Sequence, residues 1–448
     1  MPVDVTPPAL RIAFYGDDFT GSTDTLATLT SAGLSAILFL GVPTVEQLAD
    51  AGPLNALGIA GAARSMPPAA MRDELEPVGR FFSSLPVPVI HYKTCSTFDS
   101  SQQVGSIGVA VKVLRRFVSN AFVGIVGGQP NLNRYCVFAN LFAAVETGGH
   151  VVRIDRHPTM RAHPVTPMHE ADLRLHLAAQ GMAQIVNVDY TTYDRPEAAQ
   201  DANIDRILAD RPDAVLFDIG HPAHLPAVGR ILWQRALRSS LLAVGSSGVT
   251  QALLGHWACD KDHPPALTER TLHARIAPAE GPVFVLAGSL SPVTAGQLEA
   301  ASSYRREPLA ADRVLANDTA YMNAWSDRVG SLLRDGHSVL AHTTPNAGSA
   351  SAAAPDAAPT LATACGCMLA RLLQSVPLRR VGIAGGDTSS HALKALDIWG
   401  LSYLGNLAPG VALCRAHSRA AHLDGIEFML KGGQMGPVDL FERLLRGS

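Results

Sequence analysis

Residues 12–29 read IAFYGDDFTGSTDTLATL. An apolar, aromatic-containing run ends in two adjacent aspartates, Asp17 and Asp18, and a glycine- and hydroxyl-rich turn leads on into a helical pattern. A strand with no polar alternation is one buried on both faces, as in a parallel sheet covered by helices. The same grammar recurs in RIAFYG (11–16), SAILFLG (35–41), PVIHYK (88–93), AFVGIVGG (121–128), HVVRID (150–155), AVLFDIG (214–220) and LLAVGSSG (241–248). Segments such as TDTLATLTSAG and EADLRLHLAAQG lie between them, with apolar residues at helical spacing and a closing glycine. The fold class expected is α/β, as two α/β domains with largely parallel sheets. Their ligand sites are expected to face an interdomain cleft.

A second βα series starts at PVFVLAGSLS (282–291) and continues through SVLAHTT (338–344) and RRVGIAGGDTSS (379–390). The stretch 258–281, rich in charge and interrupted by Pro-Pro, reads as a junction. The predicted division is therefore an N-terminal domain over 1–257, a linker over 258–281 and a C-terminal domain over 282–448. Residues 346–360, NAGSASAAAPDAAPT, lack aromatic residues and read as a surface loop.

Composition narrows the class. The 448 residues carry 36 basic and 39 acidic side chains and are 47% hydrophobic, which suits buried cores and disfavours a nucleic-acid scaffold. No apolar stretch suggests a membrane span, and MPVDVTPPALR lacks the pattern of a secretory leader. Six scattered cysteines without zinc-ligand spacing read as reduced thiols, and the expected location is cytoplasmic.

The chemistry gathers at predicted strand ends. Adjacent aspartates can accept hydrogen bonds from a polyol, serve as a general base toward a hydroxyl, or help to hold a cation. Thr23 or Asp24 is the expected helix cap. HYKTCSTFDSSQQVGSIG (91–108) offers Lys93 with Ser96, Thr97, Asp99, Ser100 and Ser101, a set suited to a small hydroxylated anion. Arg64 after NALGIA and Arg134 after VGIVGGQP stand at comparable positions, as does the turn His163-Pro-Val-Thr166-Pro-Met168, which reads as structural by itself. In the second half, GGDTSS (385–390) and GSLS (288–291) each join a strand to a helix, and such turns suit a nucleotide phosphate. Neither a GxxxxGK[ST] loop nor a strand-linked GxGxxG is present.

Together these stretches resemble the four-carbon acid sugar kinase family. The resemblance rests on GDDFTGSTD (16–24), KTCSTFDS (93–100), HPVTPM (163–168), GSLS (288–291), GGDTSS (385–390), APGV (408–411) and KGGQMG (431–436), in that order. The KTCSTFDS and HPVTPM forms are most like the 3-oxo-tetronate kinase branch. Other members carry a KxDSTLRGN form, whose Arg is missing here.

The resemblance implies a two-domain kinase using ATP and Mg²⁺ on a small sugar acid, first a 3-oxo-tetronate. The alternatives are 3-oxo-isoapionate, threonate or erythronate, or a non-kinase sugar-acid enzyme or binder. Asp17 or Asp18 would deprotonate the acceptor hydroxyl, and Lys93 and Arg64 would hold its carboxylate. Thr20, Ser96, Thr97, Asp99 and Arg134 complete the candidate acid site. The nucleotide would meet Ser289, Ser291, Gly385, Gly386, Asp387, Thr388 and Gly433, with Asp387 also beside Mg²⁺. The partners expected are the acid and ATP, with a second copy of the chain as a candidate and neither nucleic acid nor membrane.

Overall fold

The computed structural model describes residues 10–145, 149–163, 165–259, 275–288, 291–344 and 357–447. The predicted junction at 258–281 lies largely outside the described residues. So does most of the predicted loop, but its end is helical: a helix runs Ala357–Ser375, so residues 357–360 correct the loop reading. Pro359 is tolerated because it falls in the helix's first turn, and Leu369 and Leu372 bury the apolar side of the helix further on.

The chain folds as two compact units, one of Met1–Ile37 and Thr44–Leu272, the other of Leu38–Pro43 and His273–Ser448. In the first, seven strands pair in parallel. Their spatial order is Ala56–Ala60, Ile12–Gly16, Val89–Lys93, Leu241–Gly245, Val123–Gln129, Ala214–Asp218, Ile185–Val188. Nearly every residue of these strands is buried, which is why their sequences read as unbroken apolar runs. The core is sealed on one side by Trp257, fully buried with its ring edge-on to Trp233 at 5.0 Å. An antiparallel ribbon, Arg134–Val137, Asn140–Ala144 and Val151–Arg153, extends from the strand Val123–Gln129. The predicted strand HVVRID is the short last member of that ribbon.

In the second unit the order is Arg305–Ala310, Val339–Thr344, Val283–Ala287, Arg380–Ala384, Glu427–Lys431 in parallel. It continues antiparallel through Val411–His417 and Gly400–Ala408. The strand Ala36–Phe39 completes this sheet: Phe39 pairs with Gly400 and stacks on Trp399 at 5.9 Å. Among the described residues no helix is long and apolar enough to cross a membrane.

A candidate acid site and a nucleotide site

In parallel α/β sheets, ligand groups collect where strands end and helices begin. In the first unit the strands Ile12–Gly16 and Val89–Lys93 are neighbours in register, Gly16 opposite Lys93, so that the acids and the lysine emerge side by side. The helix Phe19–Ser31 starts earlier than the sequence suggests. Its cap is Asp18, in extended backbone, and not Thr23 or Asp24: the Asp18 carboxylate accepts from the Gly21 amide at 2.8 Å. Asp24 turns elsewhere, accepting from Ser247 Oγ at 2.5 Å and Gln129 Nε2 at 3.0 Å.

The two adjacent aspartates differ sharply. Asp18 also accepts from Thr20 Oγ1 at 2.6 Å and from Arg64 Nη2 at 2.5 Å, so both of its oxygens are engaged. Burial pushes its carboxyl up, but Arg64, Lys93 and these hydrogen bonds outweigh that and hold it below the usual range. Asp17 has one weak partner, the Cys95 amide at 3.3 Å on Oδ2, while Oδ1 is buried with no hydrogen-bond partner. Burial, reinforced by the Asp18 charge and opposed by Arg64 and Lys93, raises the Asp17 carboxyl to about 7. A buried carboxylate with a free oxygen and a near-neutral pKa is the form a general base takes.

Lys93 is buried, and its ammonium makes no ion pair or hydrogen bond with a described residue. It lies against the backbone of Gly21, where an added Cβ would come within 1.8 Å of Nζ and 2.5 Å of Asp18 Oδ1. Glycine is needed there for the ammonium to rest on the helix start. Thr97 donates to Asp99 at 2.5 Å, and the Cys95 thiol lies 3.0 Å from Thr97 Oγ1. Between them Phe98 is fully buried at φ 54, a conformation costly for a non-glycine residue. Ser100, His176 and Gln180 brace that turn: Ser100 Oγ donates to the Phe98 carbonyl at 2.9 Å, and Gln180 Nε2 donates to Ser100 Oγ at 2.8 Å. Ser96 is half-buried at the same turn.

Arg134 follows Asn133, which is left-handed at φ 56. Its Nη1 donates to the carbonyls of Leu132 and Asn133 at 2.8 and 3.3 Å, while Nε is buried without a partner. Burial lowers its pKa, and no described carboxylate counters that. Cys95 thus sits among Asp99, Arg64, Lys93, Asp17 and Arg134, a junction that the sequence reading passed over although the residue lies inside KTCSTFDS. His163 accepts from the Thr166 amide at 3.0 Å, consistent with a structural turn.

In the second unit three neighbouring strands, Val283–Ala287, Arg380–Ala384 and Glu427–Lys431, end together. The Gly385 amide donates to the Lys431 carbonyl, and the Gly288 amide to that of Ala384, each at 2.9 Å. The helix Gly386–Lys394 follows Gly385 at once, and its first amides have no acceptor within the helix. Thr388 is buried, its side chain packed so closely on Gly288 that a Cβ there would meet Thr388 Oγ1 at 2.2 Å. Ser291 caps the helix Pro292–Ala300 and donates to the Gly433 carbonyl at 2.5 Å. Ser289 and the Asp387 side chain lie outside the described residues.

The turn suits the phosphates of a nucleotide: a glycine at φ 128, ψ 128 lets the backbone approach an anion that a helix start then faces. Gly385→Ala is expected to weaken ADP binding at least about tenfold by forcing that backbone out of a region side chains avoid. The binding of sugar acid should be unchanged, and calorimetry with each ligand separately checks both.

Residues 12–253 match a sugar-binding N-terminal domain and residues 284–441 a nucleotide-binding C-terminal domain. A 3-oxo-isoapionate kinase of Paraburkholderia graminis is 38% identical over 98% of this chain and 95% of its own. The chain belongs to the four-carbon acid sugar kinase family. It is an ATP-dependent kinase of a small sugar acid. A 3-oxo-tetronate kinase of Brucella melitensis is 28% identical over 96% of this chain and 94% of its own. The crystal structure described as a tRNA synthase from Salmonella typhimurium LT2 shares the fold, with a TM-score of 0.74 at 24% identity over 97% of this chain and 99% of that one.

Proposed function

We propose that this kinase phosphorylates the terminal hydroxyl of a 3-oxo sugar acid, with the branched 3-oxo-isoapionate as acceptor ahead of the linear 3-oxo-tetronate. What carries the order is resemblance across the full chain: 38% identity to the kinase of the branched acid against 28% and 27% to two of the linear acid. Asp17 serves as the base, supported by its free buried oxygen. Asp18, held by Arg64, caps the helix and keeps that guanidinium beside the acceptor. Lys93 and Arg134, neither paired with a described carboxylate, take the acid's carboxylate. This replaces Arg64 as the principal clamp. Thr20, Ser96, Thr97 and Asp99 shape the rest of the acid site.

On the donor side, Gly385, Gly386, Thr388 and Gly433 approach the phosphates, with Ser291 holding Gly433 in place. Mg²⁺ supplies charge neutralisation on the transferring phosphate oxygens. No three His, Cys, Asp or Glu side chains group as a metal site among the described residues. Asp387 would stand beside the ion or its waters. The described cysteines are all free thiols, which supports a cytoplasmic location.

The test is ADP release with Mg²⁺ and freshly generated acids. The branched 3-oxo acid should give kcat/KM at least about tenfold above the linear one, since a pocket shaped for one branch rejects its absence by that order. The reverse order would make this a 3-oxo-tetronate kinase. No release with either would sink the acceptor assignment.

A further inference from the structure

Lys431, at the end of the strand Glu427–Lys431, is completely buried and meets no carboxylate of a described residue. Its ammonium donates to Thr294 Oγ1 at 2.8 Å, to Gln297 Oε1 at 2.7 Å and, more weakly, to the Gly433 carbonyl at 3.4 Å. The Phe441 ring lies 6.0 Å away. Thr294 and Gln297 are themselves fully buried, which makes this a polar hub inside an apolar unit. An ammonium taken from water with only neutral partners is costly, so the hub calls for a purpose.

Its purpose is visible in where the hub's other hydrogen bonds go. Thr294 Oγ1 donates to the Gly433 carbonyl at 3.0 Å. Gln297 Nε2 reaches the carbonyls of Met435, Gly436 and Pro437 at 3.0, 3.1 and 2.9 Å. Four carbonyls of one short loop are thus drawn inward onto the hub. The amides of Gly433 and Gln434 find no acceptor among the described residues, leaving them free for an anion.

We propose that Lys431 is a positioning residue for the nucleotide: through Thr294 and Gln297 it turns the carbonyls of Gly433, Met435, Gly436 and Pro437 inward and so presents the loop's amides to the phosphates. The inference rests on the assignment of Gly433 to the nucleotide site. It also couples binding to protons. Burial depresses the Lys431 ammonium to about 7. Charges on the surrounding elements are engaged elsewhere: Glu427 with Arg380 on the adjoining strand, Asp439 with Arg443 and Glu442 with Arg446 on the helix Leu440–Arg446. Glu299, on the helix that carries Thr294 and Gln297, is exposed, and the Asp387 side chain lies outside the described residues. Phosphates brought close to the loop favour the ammonium, so at about pH 8 nucleotide binding takes up a proton, and affinity falls as the pH climbs further.

The experiment is calorimetry of Mg-ADP binding to the full chain at about pH 8, in two buffers of different ionisation enthalpy. Wild type should take up part of a proton. Lys431→Met should abolish that uptake and weaken binding at least about tenfold, with thermal stability kept. Unchanged proton uptake and affinity in that variant would overturn the proposal, leaving Lys431 as packing. Should Lys431→Met fail to fold, Thr294→Val keeps the shape and the ammonium. It should weaken ADP binding while retaining proton uptake, and unaltered affinity would again overturn the proposal. Failure of wild type to bind ADP at any pH would overturn the nucleotide assignment on which the proposal stands.

Discussion

Asp17→Asn is expected to lower kcat about a thousandfold, within the range general-base loss produces, while leaving the affinity for Mg-ADP unchanged. The substitution is nearly isosteric. The amide oxygen can still accept from the Cys95 amide, and Asp18 still caps its helix. What disappears is a carboxylate able to take a proton. Single-turnover kinetics and a separate ADP titration check the two halves. A variant that retained most of its turnover would remove Asp17 from the chemistry.

The same group sets a pH dependence whose sign follows from its shift. In wild type the active form is the deprotonated one, so kcat/KM should rise with pH and level off above about 7. Stability runs the other way. A carboxyl raised from 3.8 to about 7 on folding binds its proton more tightly in the folded state. Its contribution is therefore full below the unfolded value and is lost as pH rises through the folded one. Asp17→Asn should thus melt higher than wild type at about pH 8 by several degrees, with the difference vanishing near pH 4. Equal melting temperatures at both pH values would mean that Asp17 is not desolvated as its geometry requires.

The residues that could be read directly from the sequence are those whose environment is local. IAFYG and VIHYK announce themselves as strands because both faces of a parallel sheet are buried, and the acids and the lysine are placed by the strand ends alone. Which aspartate does what was not legible. It depends on Arg64, 46 residues from Asp18, filling one carboxylate, and on the Cys95 backbone, 78 residues from Asp17, meeting the other. Asp24 reads as a helix cap in the sequence, but Ser247 and Gln129, both more than a hundred residues away, claim its side chain. The passage of Leu38–Pro43 into the second unit has no local signature either, since a four-residue apolar run reads the same in either sheet. Lys431 looked like a loop residue beside two glycines. Only its burial against Thr294 and Gln297 sets it apart.

Arg134→Gln is expected to raise KM for the sugar acid about a hundredfold, with KM for ATP unchanged and kcat at saturation within severalfold of wild type. The reasoning is one of unused capacity. A guanidinium offers five donors, and in Arg134 one nitrogen reaches backbone carbonyls while Nε is buried and unmet. Leaving a charged donor in that condition costs free energy that a bound carboxylate recovers. A carboxylate matches the fork of Nε and Nη2 in shape as well as charge, which an ammonium cannot do, so Arg134→Lys should restore only part of the loss. Arg64→Gln, by contrast, strips Asp18 of its partner and should depress kcat as well as raise KM, because it disturbs the helix start beside Asp17. That contrast separates the two arginines: a pure KM effect at position 134 and a mixed effect at 64. If the pure KM effect appeared at 64 instead, the clamp would belong to Arg64, and the orphaned donor of Arg134 would be left without a substrate to satisfy it.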